Sequence, residues 1–167
     1  IFDDKRFNSF IGAGALSMSV HDFNADAFDH SDLDFIGGAT IGTGESNGRP
    51  INNRPTPPGT PRWGSQWKEA TAKTYGRVMG VGGSGSSYPI RGNYLDLDPN
   101  YADRHGRPLL RITFNYPDND IRMQTWVSKQ VEKIARSLNP KILTMGTVRK
   151  DWNSVPYQTT HNTGGAV

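Results

Sequence analysis

Between residues 42 and 62 the chain reads GTGESNGRPINNRPTPPGTPR, with five prolines and four glycines. No helix survives that density, because proline lacks the backbone N–H and clashes with the preceding turn. No interior strand survives it either, since each proline removes a ladder hydrogen bond. The segment therefore predicts a long loop over 42–62 that divides the chain into two unequal parts. A loop of this length in a compact domain is usually functional or an interaction surface; a solvated crossing is the other reading, and both stay open. Arg49, Arg54 and Arg62 give it a positive face for a partner.

On the N-terminal side, IGAGALSMSV (11–20) alternates Leu16, Met18 and Val20 against Ala15, Ser17 and Ser19, the two-residue period of a strand. LDFIGGATI (33–41) reads as a second strand interrupted by a glycine pair. On the other side, Ala70, Thr71, Thr74, Tyr75 and Val78 recur from Trp67 at helical spacing, with Ser65 as N-cap. GVGGSG (80–85) then reads as a stop and flexible turn, and SSYPIRGNYLDLDP as short extended pieces. In PLLRITFNY (108–116), Leu110, Ile112 and Phe114 alternate with Arg111, Thr113 and Asn115, the clearest strand. The strongest helix runs over 120–138 on a stripe of Val127, Val131, Ile134 and Leu138, capped by Asp118 or Asn119 and stopped by Pro140. ILTMGTV (142–148) predicts one more strand. Strands without regular βαβ alternation, plus two helices, define an α+β domain on a mostly antiparallel sheet.

The 167 residues suffice for one domain with a core. Apolar residues make up 34%, so the core is lean or is completed by other polypeptide. The net charge of +3 is scattered, which argues against nucleic-acid binding, since that needs a concentrated basic face. No stretch approaches the ~20 apolar residues of a membrane span. Zero cysteines exclude disulfides and thiol chemistry within this stretch. The opening, IFDDKRFNSF, reads as mid-protein sequence, so the chain is expected to be an internal piece of a larger enzyme.

Two motifs tempt and fail. GVGGSG matches G-x-G-x-x-G at Gly80, Gly82 and Gly85, but a dinucleotide fingerprint must follow a strand and open a helix, and here a helix precedes it. DFNADAFDHSDLD (22–34) spaces Asp22, Asn24 and Asp26 like a calcium loop, yet supplies Ala27 and Leu33 where glycine and glutamate are required. Turn chemistry and a solvated acidic face explain it better, and no metal site is expected. Among the histidines, His21 ends a strand, His30 adjoins carboxylates and His105 lies in a turn. His161, in YQTTHNTGGAV, has only small and polar neighbours and no tie to an apolar face. Catalysis or the capping of a turn would both suit it.

THNTGGAV resembles the H-x-x-G-T/G-x-x-M-G motif of the glucose–methanol–choline (GMC) oxidoreductases, FAD enzymes that oxidise alcohols and sugars. YLDLDPNYADRHGRPLLRITFNY is similar to that family's D-P-x-x-x-D-x-x-G-x-P block entering a sheet strand. DFNADAFDHSDLDFIGGATI and RWGSQWKEATAKTYGRVMGVGGSGSSYPIRGNYLDLDP look most like the flavoprotein subunits of bacterial sugar and polyol dehydrogenases, the gluconate, sorbitol, fructose and FAD-glucose enzymes. The resemblance covers nearly the whole chain. It implies that residues 1–167 form part of the substrate-binding domain, an antiparallel sheet of about six strands backed by helices. The FAD-binding Rossmann-like part is absent from these residues, as is the closing segment with the second catalytic His or Asn, so this stretch alone is expected to be inactive.

The resemblance makes His161 the base that takes the proton of a sugar or polyol hydroxyl while the hydride passes to flavin N5. Imidazole suits the step because its unperturbed pKa of ~6.5 lies near working pH. Asn162, Thr163, Gly164 and Gly165 would meet the FAD ring, with the glycines allowing close backbone approach, though Gly164 and Gly165 could equally serve only as a turn. Asn162 stands where many family members have proline, and its amide would either orient a substrate hydroxyl or simply satisfy a turn; the polar segments around Thr159, Thr160 and Asn93 are the candidates for the sugar pocket. The implied partners are a small chaperone-like subunit and a c-type cytochrome or quinone-linked acceptor, and the implied place is the periplasm. Two alternatives stand beside this reading: a GMC-type oxidase using oxygen, and a non-catalytic carbohydrate-binding module that stacks sugars on its four Trp and six Tyr.

Overall fold

A computed structural model describes residues 18–45, 56–74, 77–148 and 150, with Glu45 described for its backbone only. Its frame is a three-stranded antiparallel sheet in the order β1-β2-β3, made of Met18–Val20, Ala39–Glu45 and Met79–Gly85. Val20 pairs with Ile41, and Ile41 in turn pairs with Gly83. A helix, α1, spans Ser65–Thr74 ahead of β3. The strands β4 (Tyr94–Ala102) and β5 (Pro108–Thr113) form a separate antiparallel hairpin. The helix α2, Asp118–Ser137, follows them. The fold is thus α+β with antiparallel sheets, as the sequence pattern implies, although the five described strands fall into two sheets rather than one.

The core lies between the sheet and α2. Met123, Val127, Val131 and Ala135 recur every fourth residue and are buried. They face the side of the sheet that carries Ala39 and Ile41, with Phe35 joining the cluster. Trp126 flanks it with its ring edge-on to Phe23 (5.2 Å between centroids) and tilted against Phe35 (5.9 Å). Such aromatic pairs add roughly 0.5–1.5 kcal/mol beyond their buried area.

Two glycine pairs make this packing possible. Gly37 takes a φ of +102°, and a Cβ on Gly38 would lie 2.7 Å from Asn24 Cα, so the chain can enter β2 only without side chains there. In β3, a Cβ on Gly83 would fall inside Val127 Cγ1, and one on Gly85 would lie 2.8 Å from Met123 Cε. The bare backbone of β3 is what lets α2 lie against the sheet.

Several boundaries differ from the sequence reading. GVGGSG is not a turn: residues 79–85 are strand β3, because pairing with β2 along its whole length outweighs the weak strand preference of glycine. The expected loop begins too early, since β2 runs on to Glu45. The second strand starts at Ala39 rather than 33, after the turn at the glycine pair. The first helix ends at Thr74 among the described residues, and Val78 lies outside it; Tyr75 lies outside the described residues. The segment 142–148 is not a strand. Residues 11–17 of the first predicted strand also lie outside the described residues.

At the start of α2, Pro117 occupies the N-cap position and makes no side-chain cap, so neither Asp118 nor Asn119 caps the helix. Asn119 instead clamps the loop before β2: its Oδ1 accepts from Ile36 N (2.9 Å) and its Nδ2 donates to Ile36 O (3.1 Å). At the other end, Asn139 takes the left-handed conformation (φ 49°) just before Pro140, which ends the helix.

Candidate functional site

A cavity of about 940 Å³ lies between β3, α2 and residues 140–148. That is the size range of small-molecule sites, roughly 300–1,000 Å³. Its apolar wall comes from the buried stripe of α2, β3 supplies backbone and Ser84, and Ser86 and Ser87 follow just beyond the strand. Thr56 and Pro58 of the proline-rich segment also line it, as do Phe114 and Tyr116. These two rings meet edge-on at 5.2 Å.

Asp120, 5% exposed, is the sole charged residue among the described ones lining the cavity. Ser87 Oγ donates to its Oδ2 at 3.1 Å, while Oδ1 is enclosed and has no hydrogen-bond partner. An unsatisfied buried acceptor costs about 1–3 kcal/mol, and more when charged. Helix periodicity explains the burial: Asp120 stands three, seven and eleven residues before Met123, Val127 and Val131, on the same stripe. Sequence reasoning passed over this residue as part of the helix start. An acid on the apolar stripe of an amphipathic helix was the signal available to find it.

The other carboxylates serve turns and the surface. Asp103 Oδ1 accepts from His105 N (2.8 Å) and Arg107 N (3.0 Å), which hold its pKa below the ordinary carboxylate value, with Arg107 contributing most. In the hairpin, Arg111 pairs with Asp96 through two of its guanidinium nitrogens, Nε at 2.7 Å from Oδ1 and Nη2 on Oδ2. The Arg111 hydrogen bonds lower the Asp96 pKa, and Asp96 raises that of Arg111. Among the described residues no group of three His, Cys, Asp or Glu could hold a metal ion. His21 Nε2 bonds Ser19 Oγ (3.0 Å), His30 lies edge-on to Phe28 (4.9 Å), and His105 accepts from Arg104 Nε (3.0 Å).

His161 and its neighbours Thr159, Thr160, Asn162, Thr163, Gly164 and Gly165 lie outside the described residues, as do Arg49 and Arg54. Arg62 is exposed. Asn93 stands at the foot of the hairpin, where its Nδ2 donates to Asn115 O (3.0 Å) and its Oδ1 accepts from Asn115 N (2.8 Å). It is not among the cavity-lining residues.

The described residues do not fit a dinucleotide. The pyrophosphate of FAD needs a strand-to-helix glycine turn with N–H groups or cations aimed at it. Here the glycines form the strand β3, and the one charged residue among the described ones lining the cavity is an aspartate.

What the chain does present is an α+β unit with a cavity between β3, α2 and residues 140–148. Its sequence is 45% identical, over 170 aligned residues that take in the whole chain, to the gluconate 2-dehydrogenase flavoprotein of Pantoea cypripedii. The chain spans 28% of that relative's length. It is therefore similar throughout to one segment of a flavoprotein. No family model and no solved structure matches it.

Proposed function

We propose that this chain is part of an FAD-dependent dehydrogenase that oxidises a hydroxyl of a sugar or polyol to a carbonyl. The 45% identity along its full length to a gluconate 2-dehydrogenase flavoprotein carries the reading. The flavin is bound chiefly by polypeptide outside these residues and accepts the hydride. This chain contributes a wall of the substrate domain and, in His161, the base that takes the hydroxyl proton. A positioned base contributes roughly 10²–10⁴-fold. The imidazole must start each turnover neutral, so the rate falls in acid. Asn162, Thr163, Gly164 and Gly165 would line the flavin side, and Thr160 and Asn162 the substrate side. Electrons pass to a c-type cytochrome or a quinone-linked partner in the periplasm, a small chaperone-like subunit accompanies the flavoprotein, and these expectations rest on the resemblance alone.

The test is anaerobic mixing of the full-length flavoprotein with sugar, followed by loss of flavin absorbance. His161→Ala should slow flavin reduction by about 10²-fold or more while flavin content is unchanged. Near-normal reduction removes the assignment of the base, and a colourless full-length protein removes the dehydrogenase reading itself.

A further inference from the structure

We propose that the apolar face of the β4–β5 hairpin is a permanent seam, covered face-on by an aliphatic surface from another part of the same flavoprotein polypeptide. Leu95 stands opposite Ile112 and Leu97 opposite Leu110 in the ladder, so strand alternation puts all four on one face. Each is more than half exposed. Tyr94 and Asp96 stand opposite Thr113 and Arg111 on the other face, where Arg111 Nε donates to Asp96 Oδ1 at 2.7 Å. The ribbon is therefore polar on one side and aliphatic on the other. Single apolar residues are ordinary on a protein surface, whereas four in direct register form a contiguous patch that marks a contact.

The kind of partner follows from two properties of the hairpin. It does not support itself: β4 and β5 form their own sheet and pack closely on no other described element. A lone two-stranded hairpin is marginal in water, so its cover must be present whenever it is folded. A partner that comes and goes does not provide that. The composition of the face is also that of a core. Surfaces for exchangeable partners concentrate Tyr, Trp and Arg, while permanent interfaces resemble a domain core cut in half. Three leucines and an isoleucine, with the ion pair turned to the opposite face, match the permanent kind. The choice of occupant rests on the dehydrogenase reading. This chain spans 28% of the flavoprotein it resembles, so on that reading most of the polypeptide lies outside these residues and is present in every molecule. The inference goes beyond that reading, since it concerns how the polypeptide is held together and not turnover.

The test uses the full-length flavoprotein, purified without other subunits at a concentration where sedimentation shows one chain, with the photo-crosslinker p-benzoylphenylalanine in place of Leu97. Irradiation should give a product with the mass of one chain, and peptide mapping should join β4 to a peptide outside these 167 residues. A product of twice that mass would make the occupant a second copy, and one formed only after another subunit is added would make it that subunit. Either result, a crosslink confined to these residues, or none at all would overturn the proposal. If the bulky probe prevents folding, Leu97→Cys gives a second measure, because the 167 residues hold no native cysteine to confuse the β4 peptide. Its labelling by a maleimide in the native monomer should be at least about 100-fold slower than in denaturant. Equal rates would overturn the proposal. Flavin absorbance, and its loss on adding sugar, are read on the same sample. A colourless protein removes the dehydrogenase reading, whereas a sugar-reducible flavoprotein in which position 97 stays open removes the seam alone.

Discussion

Gly83 sits opposite Ile41 in the β2–β3 ladder and directly beneath Val127 of α2. In Gly83→Ala the new methyl would overlap Val127 Cγ1 and stand 3.5 Å from Val131 Cγ2. Val127 cannot turn aside, because a β-branched side chain in a helix is held to one dominant χ1 rotamer. Either α2 lifts from the sheet or β3 bends. Overpacking costs about 1–3 kcal/mol and sometimes more, and two stiff partners place this case at the upper end. Replacing glycine returns roughly 0.5–1 kcal/mol of backbone entropy, leaving a net loss of about 2–3 kcal/mol. Val127→Ala alone deletes two buried methyl groups, at ~0.8 kcal/mol each plus a cavity term, or roughly 2 kcal/mol. In the double variant the methyl at position 83 occupies the space that Val127 gives up. The combined loss should then be about 1 kcal/mol instead of the roughly 4–5 kcal/mol expected from addition. Denaturation of the intact protein, followed by tryptophan fluorescence because Trp126 borders this cluster, measures the cycle. If the two losses add within about 0.5 kcal/mol, the close approach of β3 and α2 is not what the glycine serves.

Gly38→Ala should cost about 2 kcal/mol or more, because its methyl meets the backbone of Phe23 and Asn24, whereas Gly85→Ala should cost under about 1 kcal/mol, because the flexible end of Met123 can move away. Thermal melts in which the two variants lose equal stability would contradict this ranking. Ser87→Ala removes the hydrogen bond held by the buried Asp120 and should lower stability by about 1–3 kcal/mol; an unchanged melt would show the carboxylate finding another donor. Asp96 and Asp103 have folded pKa values lowered by hydrogen bonds, so their stabilising contribution is present above the unfolded carboxylate pKa of ~3.9 and fades as pH falls through the lower folded values. Carboxyl ¹³C titration should place both midpoints below ~3.9, and Arg111→Met should return Asp96, not Asp103, toward it. An Asp96 midpoint indifferent to that substitution would show that Arg111 is not the cause.

The hairpin illustrates how much of the fold is local. Leu95, Leu97, Leu110 and Ile112 share one face by strand alternation and cross-strand register, and each is 56–63% exposed. Alternation in the sequence made β5 legible; it could not show that this apolar face has no cover among the described residues. The long helix was equally legible, since Val127 and Val131 recur at its period. The buried roles of Met123 and Ala135, and the 40% exposure of Leu138, depend on which side of α2 meets the sheet.

By itself the sequence determined what single segments dictate: the reach of α2 and its stop near Pro140, the alternation of β5, the α+β class, and the likeness to a flavoprotein segment. Those properties follow from period, turn chemistry and residue identity, which act within a few residues of each other. Only the tertiary structure decided that a glycine run would be a strand instead of a turn, and that residues 142–148 would border a cavity without pairing. It also decided that Asp120 would be buried beside Ser87. Each of these outcomes depends on contacts between residues distant in the chain: the full ladder between β2 and β3, the seating of α2 on bare backbone, and the meeting of a helix start with the end of a strand.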